Sequence, residues 1–267
     1  MYPGRRLIRM FKSIGFIGGG RITRIILSGF DRKEKWPGKV IVSDANADVL
    51  KDLRKRFPKI EAAGGDIKKP SAADVVFLAL HPPAIMGILG DVKSKLRRDA
   101  IVVSLAPKAS ISQLSGGLDG FSRIVRMIPN APSVVNEGVN PLAFSAAFSK
   151  DEKKKLRIWF KILGDCPEVA EEKLEAYAII TAMGPTYFWF QLYELEELGR
   201  SFGMTPKEVK ESLAKMLKGT LKTMTDSGLS PIEVMDLIPI KPLGEEEANI
   251  RNMYRTKLQG LYSKLKG

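Results

Sequence analysis

Hydrophobic spacing divides this chain into two halves. Up to about residue 149, short and nearly continuous apolar runs alternate with stretches whose apolar positions recur at helical spacing. The runs at 13–18, 39–44, 74–80, 100–105, 123–128 and 139–145 predict strands. Val42, Val75, Val76, Val102 and Val103 make them β-rich, and their continuity suits a parallel sheet buried on both faces. Helices are predicted at 21–30, 47–57, 83–96 and 110–118, with Asn46 as a cap and Pro58 as a stop for the second. Alternating strands and helices predict an α/β, doubly wound sheet. Beyond 149 the strand signals vanish. Helices are predicted at 150–163, 171–183, 185–202, 206–227, 230–237 and 244–265, with a breaker-rich turn at 238–244. The expected domains are therefore a sheet domain over 1–149 and an all-helical domain over 150–267.

Composition narrows the classes. An apolar content of 44% over 267 residues is ample for a packed core. The single cysteine, Cys166, excludes an intramolecular disulfide framework and a cysteine metal cluster, and it points to a reducing cytoplasm. Residues 1–9 are basic but lack the apolar core of a secretory signal. Met10 stands just before the first strand as an alternative start, which would make 1–9 a dispensable leader. The uncharged stretch 176–193 is broken by Gly184-Pro185 and holds Gln191, so it reads as two buried helical pieces rather than a membrane span. Its successive aromatics, Tyr187, Phe188, Trp189 and Phe190, predict core or subunit contact, and with it a homodimer or a larger assembly of dimers. The net charge of +13 is spread along 150–161 and 207–222 and is interleaved there with Asp151, Glu152, Glu208 and Glu211. That is the pattern of a solvated face. No nucleic-acid motif accompanies it, and a small anionic ligand would gain from its steering.

The candidate chemistry begins where the first apolar run breaks into Gly18, Gly19 and Gly20 and a helix follows at once. Gly18-x-Gly20-x-x-Thr23 is close to the dinucleotide fingerprint, with Thr23 where the pattern has Gly or Ala. Gly18, Gly20, Arg21 and Ile22 are the candidate residues for the phosphates of NADP or NAD. A glycine turn that merely packs a strand on a helix is the alternative. Asp44 ends the next run, where a carboxylate binds the ribose hydroxyls of NAD or simply caps a helix; Arg21 argues instead for a 2′-phosphate. Ligands of such sheets lie beyond the carboxyl ends of the strands. Three further strand ends carry candidates there: Leu80, His81 and Pro82; Ala106; and Asn130, set among prolines. His81 is the only histidine.

With those residues in hand, the chain resembles the pyrroline-5-carboxylate reductase family from Met10 to Leu265. The matching stretches are Phe11 to Gly20, Asp74 to Leu80, Arg126-Met-Ile-Pro-Asn-Ala-Pro132 followed by Glu137-Gly138, Gly184-Pro-Thr-Tyr187, and Asp226-Ser-Gly228 followed by Pro231. The resemblance implies a Rossmann domain, an intertwined helical dimer, proline biosynthesis and hydride transfer from NAD(P)H to a cyclic imine. The family's Ser-Pro-Gly-Gly-Thr-Thr loop, which holds the substrate carboxylate, is here Ile240-Lys-Pro-Leu-Gly-Glu245. Its Lys after the strand at 74–80 is His81, and its Ser-x-Ala-Ala-Gly is Ser104-Leu-Ala-Pro-Lys108. Lys241, Asn130 and Tyr187 are then the candidate substrate residues, and Tyr187 and His81 the candidate proton donors. Reduction of a different imine or a carbonyl, or a catalytically silent NAD(P)-binding sensor, are the alternatives that the altered loop leaves.

Overall fold

The computed structural model describes residues 10–266. The reading of 1–9 as a leader lies outside the described residues. The strands are β1 (Ser13–Ile17), β2 (Lys39–Ser43), β3 (Ile60–Ala62), β4 (Val75–Leu78), β5 (Ile101–Ser104), β6 (Ile124–Met127), β7 (Gly138–Val139), β8 (Leu142–Phe144) and β9 (Gly164–Asp165). Seven of them form one sheet in the order β3-β2-β1-β4-β5-β6-β8, parallel except for the β6–β8 pair. That order, with its reversal beside β1, is the doubly wound arrangement of a Rossmann-type sheet.

The period of two along each strand assigns the helices to two faces. Ile14, Phe16, Val75, Phe77 and Val103 share a cluster with Ile26, Leu27 and Phe30 of α1 (Arg21–Arg32) and Leu50 and Leu53 of α2 (Ala47–Arg56). Within it the Phe16 and Phe77 rings stack at 4.6 Å. A short α3 spans Lys68–Ser71. Ile17, Val76, Leu78 and Val102 point the other way, onto Ile85, Leu89 and Val92 of α4 (Pro82–Lys93) and Leu114 of α5 (Ile111–Gly117).

Three elements depart from the expected pattern. β3 is only three residues long and carries Glu61, which pairs with Lys39, so its apolar signal is too short to read. The run expected at 139–145 is two strands, because Asn140-Pro141 interrupts it and Pro cannot donate to a ladder. The helix expected at 171–183 is a 3-10 turn, a short α7 (Leu174–Tyr177) and a π-helical stretch over Ala178–Ala182.

The division of the chain also differs. The boundary falls not at residue 149 but after Met183: one unit runs to Met183 and takes back the chain end from Tyr262, and the other spans Gly184–Leu261. The reason is α6 (Lys150–Phe160), capped by Ser149 and Glu152. Its Leu156, Trp159 and Phe160 complete the sheet's core instead of founding a new one.

The second unit is helical, with α8 (Pro185–Ser201), α9 (Pro206–Asp226), α10 (Pro231–Asp236) and most of α11 (Glu247–Lys266). Thr205 and Ser230 start α9 and α10 with capping boxes closed by Glu208 and Glu233. α8 and α9 meet at Gly199, where an added Cβ would lie 2.8 Å from Val209. Little else is covered in this unit. Phe188, Phe190, Tyr193, Phe202, Ile232, Ile238, Ile240 and Leu243 are all exposed. Among the described residues no helix is long and apolar enough to cross a membrane.

Candidate functional site

The nucleotide end is built by the β1–α1 turn. Gly18 has φ +104, and an added Cβ would sit 2.5 Å from the carbonyl oxygen of Ala79, so a side chain is excluded both by conformation and by space. Gly20, by contrast, has open space around its Cβ position and is exposed. It is the N-cap of α1 and supplies no side-chain cap, so the first-turn N–H groups and the positive end of the helix face outward. Thr23 is fully buried and donates its hydroxyl to the Gly18 carbonyl at 2.5 Å. That bond explains how a threonine occupies the third fingerprint position: it locks the turn from inside. An open turn, an uncapped helix start and a glycine without neighbours make a cradle that fits a dinucleotide pyrophosphate.

Asp44 lies beside this turn. Its Oδ2 accepts the Gly19 N–H and its Oδ1 the Asn46 N–H, both at 2.8 Å. The helix cap is Asn46, whose Oδ1 accepts from Asp48 and Val49; Asp44 is therefore not a cap. Leu80 approaches the same turn, since a Cβ on Gly18 would lie 2.9 Å from its Cδ2. Arg21 is exposed and Ile22 half-buried on the first turn of α1. His81 is exposed at the N-cap of α4, with Pro82 at the helix start.

Not every predicted residue has a side chain to offer. Ala106 is buried. Asn130 is buried too, and its amide serves the fold: Nδ2 donates to the Thr181 carbonyl and Oδ1 accepts from the Val139 N–H. Tyr187 and Lys241 belong to the second unit. Tyr187 meets Tyr254 edge-on at 5.9 Å. Partial burial, and then Tyr254, push its phenol above the ordinary value, so it keeps its proton at neutral pH. Lys241 lines a groove of about 1480 Å³ with Phe190, Leu198, Ile238, Ile240 and Tyr254, a largely apolar setting for a lysine. Cys166 is fully buried; burial, and next Asp165, push its thiol up to about 12, so it is no nucleophile.

A second constellation lies at the carboxyl end of β5 and was not singled out from the sequence. A cavity of about 730 Å³ is lined by Lys108, Ser110, Gln113, Arg126, Glu172 and Lys266, together with Glu171 and Glu175. Arg126, 3% exposed, bonds Glu175 at 2.7 Å and Glu171 at 3.0 Å. Its Nε has no hydrogen-bond partner among the described residues. Glu175 is 7% exposed and also accepts the Lys108 N–H at 3.4 Å. Lys108 has φ +71, the left-handed region, which costs a residue with a Cβ about 1–2 kcal/mol.

Comparison with known proteins agrees with this geometry. A family described as "NADP oxidoreductase coenzyme F420-dependent" matches residues 13–108, the stretch holding the glycine turn and β1 to β5. The chain is 26% identical to pyrroline-5-carboxylate reductase of Escherichia coli K12 over 86% of its own length and 85% of that protein. A solved pyrroline-5-carboxylate reductase from Coxiella burnetii superposes with a TM-score of 0.70 at 24% identity, covering 95% of this chain and 97% of that one. Pyrroline carboxylate reductase of Plasmodium falciparum, solved with NADP bound, gives a TM-score of 0.79 at 18% identity, over 97% and 98% of the two chains. The likeness to pyrroline-5-carboxylate reductases expected from the sequence is thus borne out along nearly the whole chain.

Proposed function

We propose that this chain, similar to the pyrroline-5-carboxylate reductases along most of its length, is an NAD(P)H-dependent reductase of a cyclic imine such as 1-pyrroline-5-carboxylate. The observation that carries the reading is the β1–α1 cradle: Gly18 held at φ +104, Gly20 open, and an uncapped helix start behind them. A dinucleotide bound there supplies the hydride that reduces the C=N carbon. The chain's own part is to hold the two reactants in register and to supply a proton to the nitrogen.

On this reading the first turn of α1, with Gly20, Arg21 and Ile22, holds the pyrophosphate, and Leu80, His81 and Pro82 line the sheet edge next to it. Tyr187, whose phenol stays protonated, and His81, exposed at the start of α4, are the groups proposed to give or position the proton. Asp44 favours NAD and Arg21 favours the 2′-phosphate of NADP. We place the protein in a reducing cytoplasm, where its buried Cys166 would stay a thiol. Its second unit is proposed to be covered by a second copy of the chain, because so many large apolar side chains there are otherwise in water. The deciding experiment is the oxidation of NADPH or NADH in the presence of 1-pyrroline-5-carboxylate.

A further inference from the structure

The cavity at the end of β5 holds charges of both signs in an uneven arrangement. One guanidinium, Arg126, faces two carboxylates, Glu171 and Glu175, so carboxylates outnumber guanidinium at the floor, where Arg126 and Glu175 are buried and Glu171 is half-buried. Each carboxylate spends only its Oε1 on the described bonds to Arg126 and to the Lys108 and Ile111 N–H groups. Two lysines, Lys108 and Lys266, line the same space, and neither makes an ion pair among the described residues. Both lysines are exposed, as is Glu172 in the same lining. A cavity that presents carboxylates at its floor and lysine ammonium groups in the same lining is complementary to a small molecule that carries a positive and a negative group at once.

Lys108 is the residue that the geometry singles out. It follows β5 at the carboxyl end of the sheet, where ligands of such folds lie, and its backbone stays in the left-handed region that glycine occupies without strain. Its N–H points to Glu175 Oε1 at 3.4 Å, a long hydrogen bond that faces the turn toward the cavity floor. A lysine kept in a glycine's conformation points to a use for its side chain.

Resting on the reductase reading above, we infer that Lys108 receives the carboxylate of a zwitterionic substrate, an imino acid protonated on nitrogen, and that Glu171 and Glu175 face the cationic nitrogen. Carboxylate recognition then sits on the sheet unit, at a residue different from Lys241. A carboxylate floor beside the nitrogen also favours the protonated imine, the form that accepts hydride.

The test uses the full chain and Lys108→Gly. Glycine suits φ +71, so the variant removes the ammonium while relaxing the backbone, and its melting temperature should hold or rise. L-proline, a stable zwitterionic imino acid, and acetate are titrated calorimetrically, and the KM for 1-pyrroline-5-carboxylate is measured. The inference requires L-proline to bind the native chain and acetate to bind far more weakly. In Lys108→Gly the KM should rise and the L-proline affinity fall by about 10- to 100-fold, with NADPH affinity unchanged and most of the loss recovered in Lys108→Arg. Unchanged KM and L-proline affinity in Lys108→Gly would overturn it, as would acetate binding as tightly as L-proline, or no binding of L-proline at all. The two readings fail separately. L-proline bound through Lys108 without turnover of any imine sinks the reductase and keeps the site; turnover indifferent to Lys108 does the reverse.

Discussion

Asp44 Oδ2 accepts the backbone N–H of Gly19 at 2.8 Å, joining the end of β2 to the glycine turn at the end of β1. The other oxygen of the same carboxylate takes the N–H of Asn46 at 2.8 Å. A side chain read from sequence as a ribose ligand or a helix cap is thus a clip that holds the glycine turn in shape. Ribose binding would have to use the lone pairs these bonds leave over.

Asp44→Ala should therefore weaken both cofactors rather than exchange one for the other. Hydrogen bonds to a charged acceptor contribute about 1.5–3 kcal/mol when well placed, and half-exposure of Asp44 puts the expected loss at the lower end. Calorimetry with NADH and NADPH, with thermal melting alongside, reads this. A loss confined to NADH with an unchanged melting temperature would show that Asp44 serves the ribose alone.

Gly20→Asp should abolish cofactor binding without unfolding the chain. The Cβ position meets no atom within 4 Å, so the variant is sterically permitted, yet it places a carboxylate where the pyrophosphate is proposed to lie. Repulsion between unit charges at contact distance is about 4 kcal/mol near a protein surface, enough to reduce affinity by roughly a thousandfold. Native melting with retained NADPH affinity would move the phosphates elsewhere.

The apolar surface of the second unit predicts self-association. Phe202 is 77% exposed and Ile232 83%. Removing a large apolar side chain of this kind from water contributes about 1.5–3 kcal/mol. Sedimentation should find a dimer, or an assembly of dimers, at micromolar concentration, and Phe202→Asp with Ile232→Asp should shift it toward monomer. A native monomer at that concentration would contradict the proposal.

The strongest sequence signals were those fixed by local physics. β1, β2 and β4 to β6 were legible because buried parallel strands need continuous apolar residues, and α2 because Asn46 caps it; the capping boxes at Ser149 and Thr205 that start α6 and α9 are structural findings. β3 was hidden by its length, and the domain boundary by α6, whose helical period says nothing about which core it joins. In the candidate site the glycine turn was plain, since conformation and close approach demand glycine there. The Arg126–Glu171–Glu175 cluster was not, because its members lie 45 and 49 residues apart and only the fold brings them together. Lys108 appeared in the sequence only as the last residue of the altered stretch Ser104-Leu-Ala-Pro-Lys108; its left-handed backbone and its cavity were visible only in three dimensions.

The most direct measurement is steady-state oxidation of NADPH and NADH, followed by absorbance, with 1-pyrroline-5-carboxylate and the purified full chain. The reductase reading predicts saturable, substrate-dependent loss of absorbance, with formation of the saturated imino acid in equal amount, and its disappearance in Gly20→Asp. A folded chain that binds NADPH but oxidises neither cofactor with this imine would contradict it and leave the likeness to pyrroline-5-carboxylate reductases as one of fold.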